Sequence, residues 1–106
     1  MSLRDLTIKT NTLKRVLNDE QYYLKEAASQ RTHIDKLRAD GADEYVIRKQ
    51  VEVLDETLNM LPDSKKRIAK AVEDLKTLMD THPTTFKGSQ ELKKAQDVLG
   101  SINYDA

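Results

Sequence analysis

One row of apolar residues constrains this chain more than anything else in it. Ile47, Val51, Leu54, Leu58, Leu61, Ile68, Val72, Leu75 and Met79 step by four and three, and only Lys65 breaks the row. Residues three and four apart stack on one side of an α-helix, so the spacing predicts a long helix with one buried stripe. Pro62 lies inside the row. Proline has no N–H for the carbonyl of Leu58, and its ring crowds that carbonyl at a cost of about 3 kcal/mol, so the helix must bend or break there. The row keeps one phase on both sides of Pro62, with no residue gained or lost. That favours a single kinked helix of about 57 Å over residues 43–80. The alternative is a fresh helix capped by Asp63 or Ser64.

A second helix precedes it. Leu3, Leu6, Leu13, Leu17, Leu24, Ala27 and Ile34 occupy the two seam positions of a heptad, Val16, Tyr23 and Leu37 widen the stripe, and Thr10, Glu20 and Arg31 interrupt it. Polar intrusion at that frequency suits a short bundle better than a long self-pairing coiled coil. Ser2 and Asp5 stand where an N-cap and its partner three residues on belong. Asp40-Gly41-Ala42-Asp43 joins a glycine suited to a helix C-terminus with an aspartate suited to the next N-cap. Thr81 to Gly88 is the other turn-rich stretch and reads as a loop. Ser89 then caps a third helix of about 14 residues whose row is Leu92, Ala95, Leu99 and Ile102. So short a helix is marginal alone and must dock on the other two. The expected fold is all-α: an antiparallel three-helix bundle, a single domain over residues 1–106, with two long helices at about 2–40 and 43–80, the second kinked at Pro62, and a shorter third at about 89–102.

Composition narrows the chemistry. Eighteen Lys plus Arg balance eighteen Asp plus Glu, which removes the net attraction that nucleic-acid and anionic-membrane binders use. There is no cysteine, hence no disulfide framework and no thiolate nucleophile or ligand. No apolar run approaches the roughly 20 residues that span a bilayer, and the charged start Met1-Ser2-Leu3-Arg4-Asp5 does not resemble a signal peptide, so a soluble cytoplasmic protein is expected. His33 and His82, the only imidazoles, sit in no metal-binding spacing. Asp19-Glu20 and Asp55-Glu56 are neighbours about 100° apart around a helix and do not converge on one substrate. Lys65-Lys66-Arg67 lacks interleaved aromatics and is flanked by acids. Catalytic, cofactor-binding and metal-binding residues are expected to be absent, and the protein is not expected to be an enzyme.

What remains is apolar surface beyond the seams. Val46, Val53 and Met60 recur every seven residues about 130° from the centre of the buried row, rimmed by Arg48, Lys49, Glu52 and Glu56. Ile8 and Tyr22 fall in the column opposite the seam of the first helix. Two readings stay open: the third helix or a second copy covers the Val46-Val53-Met60 stripe, or the stripe is an exposed docking strip for a protein partner. Tyr22 is either an ordinary surface tyrosine or an interface anchor.

The same segments resemble a known family. Ile8-Lys9-Thr10, Leu13-Lys14-Arg15-Val16, Tyr22-Tyr23 and Lys25-Glu26-Ala27 are similar to the first helix of the tubulin-folding cofactor A family, also called tubulin-specific chaperone A. Ile47-Arg48-Lys49-Gln50, Glu52-Val53-Leu54, Met60-Leu61-Pro62-Asp63 and Arg67 resemble its second helix more closely, and Ala95 and Val98-Leu99 are the points of likeness after Asp80. The resemblance implies a non-enzymatic chaperone without cofactors that captures quasi-native β-tubulin and hands it to cofactor D during α/β-tubulin heterodimer assembly. It also implies a cytoplasmic, cytoskeleton-associated protein. The residues expected to meet β-tubulin are Tyr22, Val46, Lys49, Val53, Glu56 and Met60. The alternative is a self-associating helical adaptor without tubulin specificity, and both a monomer and a homodimer are compatible with the sequence. No role attaches to Thr84 to Lys87.

Overall fold

The computed structural model describes residues 2–102. Its order is α1 (Leu3–Ala39), α2 (Glu44–Thr81), α3 (Pro83–Phe86) and α4 (Gln90–Ser101), with no strand among the described residues. α2 runs without interruption through Pro62.

The helix ends are written into the sequence. At the start of α1 the Ser2 backbone N–H donates to Asp5 Oδ2 at 2.9 Å, while the Asp5 N–H donates to Ser2 Oγ at 3.3 Å. This is a capping box with aspartate in the third position. The Ser2 hydroxyl also donates to Asp5 Oδ2, at 3.1 Å; the backbone bond first, and this side-chain bond second, favour the ionised carboxylate and hold Asp5 below its ordinary value of 3.8. The box therefore supports the helix fully above the ordinary aspartate range and is lost as pH falls through the lowered Asp5 value. An NMR titration of the Asp5 carboxyl is expected to find a midpoint below 3.8.

α1 ends in a Schellman turn. The Ala42 N–H donates to Leu37 O at 3.0 Å and the Gly41 N–H to Arg38 O at 3.1 Å. The turn requires the left-handed backbone that Gly41 adopts at φ 73°, where a side chain would be strained. Asp43 opens α2 at once, its carboxylate accepting from the Tyr45 N–H at 3.2 Å.

The chain divides into two compact units: residues 18–65 form one, and the segments before and after them form the other. The second of these, the core unit, joins the start of α1 to the end of α2, α3 and α4. Its buried cluster includes Leu6, Leu13, Leu75, Leu78, Phe86 and Ala95. Phe86 is fully buried, although it stands in the stretch whose residues read as a loop. Pro83 explains the difference: its fixed φ favours the first turn of a helix, so Pro83–Phe86 winds into α3 and turns Phe86 inward, with the His82 ring edge-on at 5.9 Å. Ser89 links α3 to α4. Its hydroxyl donates to Phe86 O at 2.7 Å and accepts from the Leu92 N–H at 3.0 Å. Ser89→Ala is expected to cost about 1 kcal/mol, read as a lower urea midpoint with unchanged slope.

The hairpin unit, residues 18–65, contains the remainder of α1, the turn and α2 as far as Lys65. Its seam is not quite the predicted one. Leu24, assigned to the seam, is 44% exposed, as is Leu3 to a similar degree in the core unit. In the hairpin the inward side of α1 is instead Glu20, Tyr23, Ala27, Gln30, Ile34 and Leu37. On α2 the gap at Lys65 is closed by Ser64, which is buried. A helix with one neighbour buries a narrower stripe than a helix with two, so one column cannot serve both units.

Candidate protein-interaction face

The exposed apolar residues of α2 fall in one line. Val46 is 42% exposed, Val53 41% and Met60 42%, so the chain itself leaves all three open to solvent. They rise along the helix over about 21 Å. Lys49 and Glu56 alternate with them at intervals of three and four, and both are exposed. The five side chains thus share one face: three apolar centres with a cation and an anion between them. Of the two readings for this stripe, burial under the third helix does not hold within the described chain.

The electrostatics around the row are local. Lys49 Nζ lies 3.6 Å from Glu52 Oε2 and stands 5.5 Å above the Tyr45 ring, while Arg48 reaches Glu44 at 3.9 Å. These pairs are solvent-exposed and add little to stability. Their effect is to hold long side chains along the edge of the row, the arrangement of a polar rim around an apolar centre. Tyr45, 62% exposed, joins this rim although the apolar periodicity does not mark it. Its signal was the aromatic–cation pair Tyr45 and Lys49 at a spacing of four.

Tyr22 lies on α1, 63% exposed, and its ring meets Tyr23 edge-on at 5.8 Å. Its ring partner is Tyr23 on the same helix. In the core unit a separate groove of about 440 Å³ is lined by Asp5, Ile8, Glu73, Thr77 and His82, with Ile8 half exposed. Among the described residues no group of three His, Asp or Glu side chains is placed to hold a metal ion. No described helix is long and apolar enough to cross a membrane.

An exposed apolar row with a mixed-charge rim is the kind of surface that suits a protein partner. The sequence profile described as "Tubulin binding cofactor A" matches residues 1–99. This chain belongs to the tubulin binding cofactor A family. The tubulin-specific chaperone A of Oryctolagus cuniculus is 35% identical over 104 residues, covering 98% of this chain and 95% of the relative. The crystal structure of tubulin folding cofactor A from Arabidopsis thaliana superposes with a TM-score of 0.86 at 33% identity, covering 92% of each chain. A β-tubulin binding post-chaperonin cofactor superposes with a TM-score of 0.75 at 34% identity, again over 92% of each chain. Members of the cofactor A family therefore share this all-helical fold over nearly its whole length, and the family is named for tubulin binding and chaperoning rather than for a reaction.

Proposed function

We propose that this protein is a tubulin-folding chaperone that captures β-tubulin in a quasi-native state and keeps it available for handover, through cofactor D, into the α/β-tubulin heterodimer. The similarity over nearly the full length to proteins named as a tubulin-specific chaperone and a β-tubulin binding post-chaperonin cofactor supports the reading. The observation that carries the mechanism is the exposed row Val46, Val53 and Met60 with Lys49 and Glu56 between its members.

Unassembled β-tubulin exposes surface that its partner subunit covers in the heterodimer, and uncovered apolar surface aggregates. A narrow apolar row shields part of it, while flanking charges set register and exclude wrong partners. A row of three medium-sized side chains also keeps the contact releasable, as handover requires. Tyr22 supplies a further anchor from α1. The finer arrangement that goes with this role is one domain over residues 1–106, an antiparallel bundle of two long helices and a shorter third with α2 bent at Pro62. The protein works in the cytoplasm beside the cytoskeleton, without a cofactor and without a chemical step.

Gel filtration tests the reading. The protein mixed with freshly released β-tubulin is expected to co-elute with it one to one, and with α-tubulin it is expected to elute alone. Failure to retain β-tubulin would remove the proposal. The same exposed row also suits a second copy of the chain, so the adaptor reading has its own test. A mass that rises with concentration, and falls back in Val53→Lys, would favour self-association through this face.

A further inference from the structure

The two units are built to different standards. Among the described residues eleven apolar side chains are buried, and nine of them belong to the single cluster of the core unit. The hairpin unit holds the other two, Ala27 and Ile34. The rest of its apolar seam, including Tyr23, Val51, Leu54 and Leu58, is only half buried.

The hairpin seam also carries polar atoms that folding leaves unsatisfied. Gln30 Oε1 and Ser64 Oγ are both buried and neither has a hydrogen-bond partner, although Gln30 Nε2 reaches Glu26 at 3.3 Å. In the denatured chain both atoms bond to water, so each stabilises the open state relative to the closed one. Pro62, in the same unit, removes one rung of the α2 ladder. In the core unit, by contrast, the buried Thr10 hydroxyl donates to Leu6 O at 2.8 Å.

Sparse apolar burial, unpaired buried polar atoms and a missing backbone bond are the features that lower the free energy of local opening. We propose that residues 18–65 open as one cooperative unit, because of their polar seam, while residues 2–17 and 66–102 remain folded. The inference concerns the free protein and stands whether or not the tubulin reading does. It makes the chain a durable cluster from which a less durable hairpin opens and recloses.

Native-state hydrogen exchange on the full chain, read residue by residue in the regime where reclosing is fast, tests this. The slowest amides of residues 22–36 and 47–61 are expected to exchange at least tenfold faster than the slowest of residues 9–15 and 70–78. Equal protection in the two sets would overturn the proposal. Phe86→Leu, a mild change confined to the core unit, should speed the slowest core amides and leave the hairpin rates within about twofold, since hairpin opening does not pass through the core. Parallel acceleration of both sets would show one cooperative unit and overturn it. The pair Gln30→Leu and Ser64→Ala should slow the hairpin amides several-fold. Unchanged hairpin rates would overturn the polar-seam cause and the proposal with it.

Discussion

Phe86→Ala is expected to lower the stability of the chain by about 3 to 5 kcal/mol, the largest loss from any single truncation of this protein. Phe86 is the only phenylalanine in the sequence and is wholly buried among Leu6, Leu13, Leu75 and Ala95, side chains that come from α1, α2 and α4. Removing the ring deletes its transfer free energy and leaves a hole that three helices would have to close together. It also strips the edge-on partner from His82 and the anchor from a four-residue helix that has no length to stand alone. Urea unfolding followed by circular dichroism measures the loss. A change below about 1 kcal/mol would mean that the site collapses around alanine and that Phe86 is not a keystone of the cluster.

The second large effect is on binding and not on stability. Val46→Ser, Val53→Ser and Met60→Ser together are expected to weaken β-tubulin binding by about two orders of magnitude, since a few central side chains carry most of an interface's energy. The thermal midpoint of the free protein should move by only a few degrees, because all three side chains are already about two-fifths exposed. A titration against β-tubulin beside a melting curve separates the two quantities. Intact binding would clear the row of any part in the client contact. A collapse in stability would show that the three residues are core, against their exposure.

Much of this was legible in the residues. The periodicity of α1 and α2, Gly41 at the turn and the caps at Ser2, Asp43 and Ser89 follow from local chemistry: hydrogen-bond partners three or four residues away and a helical repeat of 3.6. The same repeat sets Val46, Val53 and Met60 apart from the buried row but leaves open whether anything covers them, and the structure shows them exposed. What the sequence obscured depends on how many neighbours a helix has. Leu24 reads as a seam residue if one heptad column is followed throughout, yet it stands in the unit where α1 has a single helix against it and its side is uncovered. Ser64 looks too polar for the seam and Lys65 looks like a defect, but the inward column simply passes to the neighbouring residue. Phe86 was hidden by its surroundings, because Pro, Thr and Gly on all sides signal a loop. The one available clue was a large aromatic in a chain with only 5% aromatic content. Among the candidate partner-binding residues, the five on α2 share a face by helical geometry alone, whereas nothing in periodicity fixes where Tyr22 stands with respect to them.

The division of the chain has a consequence for how it is made. The core unit takes its first strip from residues before Asn18 and everything else from residues after Lys65, so its two parts are separated by the whole hairpin. On the ribosome Leu6, Leu13 and Val16 emerge first and then wait, while the hairpin, whose contacts are close in sequence, is synthesised and able to close. Only when Ala71, Leu75 and Phe86 have followed can the early leucines be covered. The chain therefore passes through its own synthesis with an apolar stretch uncovered until its distant partners in sequence have followed.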